Sequence, residues 1–164
     1  MQRVFVAHFK SFLSPWQVFQ SIERESSQCF FLDSAGCAKN DPAFSYLGIR
    51  PFLEVSIHGK NLKVSGREKG IYPAEHFIEV MRRLLNKWKA HSKNYPFFTG
   101  GAVGFLGYET ARFFEDIHFR KKLSSESPDL YFGFYDEVII FDHRKNSYHF
   151  AVQAENGKSA QESS

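Results

Sequence analysis

The chain has 164 residues, of which 43% are hydrophobic and 24% are charged. This length and composition predict one globular domain with its own core and exclude an intrinsically disordered chain. The formal net charge is only +3. The basic residues do not form a stripe interleaved with aromatic side chains, so we expect no nucleic-acid surface.

The two cysteines, Cys29 and Cys37, lack the spacing of a C-x-x-C motif. Such sparse cysteine usage is typical of a reducing compartment. The N-terminal apolar run turns polar at His8, well short of the ~20 apolar residues of a membrane span. We therefore expect a cytoplasmic protein that does not associate with a membrane.

The first half of the chain carries strand and helix signals in turn. An apolar run over residues 4–9 predicts a strand, and Pro15 stands at the first position of a predicted helix. Residues 29–32 and 44–49 predict two further strands separated by turn residues. Alternation over residues 53–64, broken by turn chemistry, predicts a β-hairpin.

Pro73 begins the strongest helical pattern, because apolar residues recur after it at helical spacing. This stripe comprises Phe77, Val80, Met81, Leu84, Leu85 and Trp88.

The second half predicts mainly strands. Residues 100–108 predict a glycine-rich strand and residues 108–115 a short helical turn, whereas residues 130–142 are apolar and β-branched, with Asp136 and Glu137 inserted. Residues 148–154 predict the last strand. Few helices between hairpin-connected strands indicate an α+β fold, with a mainly antiparallel sheet and flanking helices.

Closely spaced glycines can expose backbone N–H groups to a phosphate. The motif glycines here are Gly100, Gly101, Gly104 and Gly107. No Lys-Ser/Thr pair follows them and the intervening residues are apolar, so we interpret them as strand glycines that permit close packing.

Other polar residues suggest no active site. The seven histidines lack paired ligand spacing, so no metal site is predicted. Asp33 and Ser34 are ordinary turn residues, and Arg112 can pair with Glu109 and Glu115 on a helix surface. The residues alone thus indicate a soluble α+β domain without an evident activity.

A family resemblance adds to this interpretation. Residues 97–115 are similar to the F-x-G-G-x-V-G-Y-x-G-Y-D-x-x-R-x-F-E signature of component I of anthranilate synthase and aminodeoxychorismate synthase. Residues 128–143 resemble the P-D-L … D-x-V-x-V-F-D-H segment of the same family, and residues 31–34 and 44–51 resemble two upstream motifs. The resemblance assigns structural roles to the motif glycines and to Tyr108, Arg112 and Glu115.

The resemblance implies that residues 1–154 are the non-catalytic N-terminal half of the two-domain component I fold, followed by a polar tail or linker at 155–164. Chorismate and Mg²⁺ would be held by a C-terminal domain not present in this chain. A glutamine amidotransferase subunit would supply ammonia for the amination of chorismate. The isolated chain is then expected to have no catalytic residues, no cofactor and no activity.

Members of this family often bind tryptophan in the N-terminal domain, and the matching residues are Leu32, Asp33, Ser34, Ala43, Phe44 and Ser45. Asp33 replaces the family's usual Glu, and Ala43 replaces its usual Arg. Residues 131–136 favour the aminodeoxychorismate branch, which leads to para-aminobenzoate and folate, over the anthranilate branch, which leads to tryptophan. The alternatives are a stand-alone module that binds a tryptophan-like ligand and a remnant without function.

Overall fold

The computed structural model describes residues 2–26, 28–34, 43–91, 95–113 and 127–155. The chain divides into two compact units, and each has its own sheet. The first unit is formed by Met1–Pro51, Trp88–Gly101 and Tyr135–Ser164, and the second by Phe52–Lys87 and Ala102–Phe134.

The elements of the described residues are mostly strands. In chain order the strands are β1 (Gln2–Phe9), β2 (Cys29–Leu32), β3 (Phe44–Ile49), β4 (Leu53–His58), β5 (Asn61–Gly66), β6 (Gly70–Pro73), β7 (Ala90–His91), β8 (Gly101–Leu106), β9 (Leu130–Tyr135), β10 (Glu137–Asp142) and β11 (Ser147–Glu155). The α-helices are α1 (Pro15–Glu23) and α2 (Phe77–Lys87), and short 3-10 helices span Ala74–His76 and Tyr108–Phe113.

The sheet of the first unit has the order β2-β3-β10-β11-β1-β7. The pairs β2–β3, β3–β10, β10–β11 and β11–β1 are antiparallel, whereas β7 runs parallel to β1. The pairing of β1 with β11 extends from Gln2 opposite Glu155 to Phe9 opposite Tyr148. This register places the first described strand beside the last one.

Helix α1 begins as its sequence predicts. The Ser14 hydroxyl accepts from the Gln17 N–H, the Gln17 side chain accepts from the Ser14 N–H, and Pro15 occupies the first turn. This capping box satisfies backbone donors that the helix leaves unpaired. The rings of Trp16 and Phe19 lie 5.9 and 5.3 Å from the ring of Phe31, so α1 packs on the face of the sheet from which Phe31 projects.

The sheet of the second unit has the order β6-β5-β4-β9-β8. The predicted hairpin is confirmed as β4 and β5, with Gly59 at a φ of +61° in its turn. Its inward residues Leu53, Val55, Ile57, Leu62 and Val64 are buried. Helix α2 adds Phe77, Val80, Met81 and Leu84 to the buried residues, and the ring of Phe77 stacks 6.3 Å from that of Phe132.

The prediction that a helix begins at Pro73 is wrong. Pro73 has extended dihedrals and pairs with Asn61 at the end of β6, and α2 begins only at Phe77, after a 3-10 turn. Proline fixes φ but also fits the end of an edge strand, where its missing N–H costs nothing. Leu85 belongs to the predicted apolar stripe, yet 46% of it is exposed.

The apolar, β-branched residues 130–142 form two strands, β9 and β10, which are separated at the inserted Asp136. The chain breaks at Asp136, so that β9 belongs to the sheet of the second unit and β10 to that of the first. The carbonyl of Asp136 accepts from the N–H of Gln153 in β11, so the backbone at Asp136 is already bonded to the first sheet. The apolar character of the two strands does not show this change of partner, because both strands are largely buried.

The predicted α+β class is confirmed, and the mainly antiparallel strands form two sheets rather than the single sheet predicted. Among the described residues, no helix combines the length and apolar character that a membrane span requires. The predicted tail begins at Glu155, which is the last residue of β11, whereas Glu115 and residues 156–164 lie outside the described residues.

Candidate functional site

The residues predicted to form a ligand pocket lie where β2 ends and β3 begins. Leu32 pairs with Tyr46, and the same register carries Asp33 opposite Ser45. Phe44 and Ser45 are neighbours along one strand, so their side chains project from opposite faces of the sheet. The structure therefore divides the predicted set between two faces.

On the face shared with Phe31, Ser45 is the centre of a polar network. The Ser45 hydroxyl donates to Asp33 Oδ1 over 2.5 Å and lies 2.6 Å from Nε2 of His143. The backbone N–H of Ser34 also points to this hydroxyl, at 3.5 Å. Ser45 is 0% exposed, so its three contacts replace water completely.

The network fixes the hydrogen positions. A carboxylate can only accept, so the hydroxyl hydrogen of Ser45 belongs to Asp33. The Ser45 oxygen must then accept from His143, which therefore carries a hydrogen on Nε2. A serine engaged in this way has no hydrogen left to donate to a ligand, and its burial denies it the role of a nucleophile.

His143 was not among the residues predicted for this site. His143 lies beside Ser45 because β10 pairs with β3, with Phe141 opposite Ser45. The backbone N–H of His143 donates to the carbonyl of Ala43 over 3.1 Å. Its Nε2 lies 3.8 Å from Asp33 Oδ1, and both side chains are partly exposed. The available signal was the F-D-H segment of the resemblance, which ends at His143.

Phe44 belongs to an aromatic cluster on the other face. It is buried, and its ring lies 5.5 Å from that of Phe97 and 6.3 Å from that of Tyr46. The rings of Tyr46 and Phe98 lie edge to face with centroids 6.0 Å apart, and the backbone N–H of Phe98 donates to the Tyr46 hydroxyl at 3.5 Å. Burial raises the pKa of Tyr46, and this hydrogen bond opposes the shift. The cluster is a packed core rather than an open pocket.

The glycine motif lies against backbone atoms. In β8, a Cβ on Gly104 would lie 1.9 Å from the carbonyl oxygen of Tyr131 in β9. A Cβ on Gly107 would lie 2.7 Å from the carbonyl oxygen of Asp129, and that oxygen already accepts from the N–H of Gly107. The amide of Gly107 is therefore committed to the protein and does not face an anion.

The other motif residues vary in their surroundings. Gly100 and Gly101 have φ values of +129° and +141°, which favour glycine. A Cβ on Gly100 would meet the side-chain nitrogen of Gln153. Tyr108 is exposed, and Arg112 lies in the 3-10 helix Tyr108–Phe113. Within the described residues, no group of three or more His, Cys, Asp or Glu side chains is arranged to hold a metal ion.

Comparison with known proteins identifies the family. Residues 27–164 match the family model described as chorismate binding enzyme. The chain belongs to the chorismate-binding enzyme family. Its relatives include component I proteins of anthranilate synthase and of aminodeoxychorismate synthase, so the resemblance inferred from the sequence motifs is confirmed.

Two curated relatives represent the two branches of this chorismate-using family. The aminodeoxychorismate synthase component 1 of Bacillus subtilis is 40% identical over 142 residues, covering 80% of this chain and 27% of that protein. The anthranilate synthase component 1 of Acetivibrio thermocellus is 32% identical over 141 residues, covering 85% of this chain and 28% of that protein. The chain thus spans little more than a quarter of these relatives.

A solved structure agrees with this assignment. The crystal structure of anthranilate synthase component I from Streptococcus pneumoniae matches with a TM-score of 0.57 and 26% identity. The match covers 92% of this chain and 32% of the other.

Proposed function

We propose that this chain serves as the N-terminal, non-catalytic domain of a chorismate-aminating component I, on the aminodeoxychorismate branch. The observation that carries the choice of branch is the 40% identity to the Bacillus subtilis aminodeoxychorismate synthase component 1, against 32% for the Acetivibrio thermocellus anthranilate synthase component 1. The anthranilate branch is the second candidate, because several anthranilate synthase components match over most of the chain.

The proposed role is to support a chorismate-binding half, on the same or a separate polypeptide. In this proposal residues 1–154 are the domain and residues 155–164 connect it to that half. Chorismate and Mg²⁺ bind in the supported half, and a glutamine amidotransferase subunit delivers ammonia. The contact of Gly104 with the β9 backbone supports a structural rather than a catalytic role for the motif in this chain.

A second part of the proposal concerns tryptophan. The carboxylate of Asp33 is held by Ser45 but remains 43% exposed, so it can meet the ammonium group of an amino acid. Phe31 and the aromatic residues of α1 lie on the same face and can receive an indole ring. Phe44 projects from the other face and is not needed for this contact.

The scaffolding role is tested by reconstitution. The purified chain, given chorismate, Mg²⁺ and ammonium, is expected to form no product. Adding the part of the Bacillus subtilis component 1 that this chain does not match should yield aminodeoxychorismate, with the intact relative as the positive control. Anthranilate as the product would favour the second branch. Failure of the mixture to react, while the intact relative reacts, would count against scaffolding.

Tryptophan binding is tested separately by calorimetry with the purified chain. We expect saturable heat with L-tryptophan, a much weaker response from Asp33→Asn, and an unchanged response from Phe44→Leu. Indole propionate, which lacks the ammonium group, is the ligand control. Binding without reconstitution would favour a stand-alone binding module, and a folded chain that does neither would favour a remnant.

A further inference from the structure

Two histidines face each other across strands β1 and β11. His8 lies opposite His149, their Nδ1 atoms are 2.5 Å apart, and their rings meet edge to face with centroids 4.5 Å apart. His149 is only 5% exposed, and its Nε2 is buried with no hydrogen-bond partner among the described residues. His8 is on the exposed side of the pair.

Such a pair has a limited capacity for protons. One Nδ1 must donate and the other must accept, so the hydrogen bond needs a single hydrogen between the two atoms. A neutral pair and a singly protonated pair both meet this condition. When both imidazoles are protonated, each Nδ1 carries a hydrogen, the bond is lost, and two like charges are left in contact.

The surroundings disfavour the charge on His149. Burial lowers the pKa of His149, His8 and Lys145 lower it further, and Asp142 opposes them. These groups come from β1, from the turn after β10 and from β10 itself. The fourth element against His149 places the ring of Phe97 beside it, and the ring of Tyr95 stacks on that of Phe97.

That fourth element is residues 95–101, here named the strap. Phe97 of the strap lies with its ring 5.0 Å from that of His149. The strap is further held by the bond from the Gln153 side chain to the Thr99 carbonyl, at 3.1 Å, and by the bond from the Phe98 N–H to Tyr46. The ring of Phe97 therefore packs directly against a titratable side chain, that of His149.

We propose that the His8–His149 pair is an acid-sensitive latch, which holds the strap against the first sheet while at most one imidazole is charged and releases it when both are. The physical cause is local. A charged, unpaired His149 must either lose its burial or push away the Phe97 ring that covers it. The proposal concerns only the first unit and does not depend on the proposed enzymatic role.

The test is amide hydrogen exchange of the full chain at pH 7.5 and pH 5.0, corrected for the intrinsic pH dependence of exchange. Protection of strap residues 97–101 should fall about tenfold at the lower pH, as expected for the loss of one buried hydrogen bond. The β4–β5 hairpin of the second unit is the internal reference. Equal protection of the strap at both pH values would overturn the proposal.

Two variants locate the effect. His149→Phe keeps a ring beneath Phe97 but cannot be charged, so strap protection should become independent of pH, whereas His76→Gln should behave like the wild type. If His149→Phe does not fold, His8→Gln at the exposed position serves instead, and should reduce the fall in protection because the second charge is gone. A full response in either folded variant would show that the pair is not the latch.

Discussion

The tightest packing in the glycine motif is at Gly104, and Gly104→Ala is the sharpest test of why that residue is glycine. The added Cβ would lie 1.9 Å from the carbonyl oxygen of Tyr131 and 2.7 Å from the Cα of Phe132. Both neighbours are backbone atoms of β9 and cannot rotate away. Since carbon atoms pack at about 3.5–4.0 Å, β8 must move from β9 by roughly 1.5 Å.

The expected cost follows from that displacement. Overpacking typically costs about 1–3 kcal/mol. Hydrogen bonds between β8 and β9 would be stretched beyond bonding distance, and each contributes about 1 kcal/mol. A total of roughly 3 kcal/mol or more corresponds to a fall in Tm of about 10 °C for a chain of this size.

Thermal and urea unfolding followed by circular dichroism would measure this change, with Gly59→Ala as the matched control. Gly59 has a φ of +61° but no atom within 4 Å of its added Cβ. Its substitution should therefore cost only the strain of a left-handed alanine, about 1 kcal/mol. If both variants lose the same stability, close contact is not the reason for glycine at position 104.

Three further predictions concern the cores and the polar network. Leu84→Ala should lower the free energy of unfolding by about 2–5 kcal/mol, because Leu84 is 0% exposed. Leu85 is partly exposed, so Leu85→Ala should change the free energy of unfolding by less than about 1 kcal/mol. Urea unfolding of the two variants measures both values. Ser45→Ala should destabilise by about 1–3 kcal/mol, because it leaves Asp33 without its buried donor, and unfolding of Ser45→Thr should be closer to wild type. Because the pKa of His149 is lowered in the folded state, the unfolded state binds more protons, and the free energy of unfolding should fall as the pH drops below about 6.5. His149→Phe should remove this fall from the pH profile of urea unfolding. An unchanged profile would show that His149 does not cause the pH dependence.

The elements that the sequence predicted well are those whose signals are local. Ser14, Pro15 and Gln17 define the start of α1 through contacts within one turn, and the alternation around Gly59 defines the β4–β5 hairpin. The start of α2 was misplaced because a proline serves equally as a first helical residue and as the end of an edge strand. The sequence did not show that β9 and β10 join different sheets, because periodicity carries no information about which strands pair.

The candidate site shows the same division between local and distant information. The sequence could place Asp33, Phe44 and Ser45 near one another, since β2 and β3 are joined by one connection. It could not predict that His143 belongs to the site. His143 is 98 residues from Ser45 in the sequence, and the two meet only because β10 pairs with β3 in one particular register. A shift of one residue would turn every side chain of β10 to the other face.

That register also decides how a ligand can approach. Asp33 and Ser45 oppose each other on the face that carries Phe31, while Phe44 projects with Tyr46 from the opposite face. A small amino acid whose ammonium group meets Asp33 therefore lies on the α1 side of the sheet and cannot at the same time stack on Phe44, because the sheet itself lies between them. His143 is on the Asp33 side, so the donor that orients Ser45 belongs to the same face as the proposed ligand. The residues predicted from the two upstream motifs thus divide between polar side chains, on the face of the proposed ligand, and an aromatic side chain that packs on the opposite face.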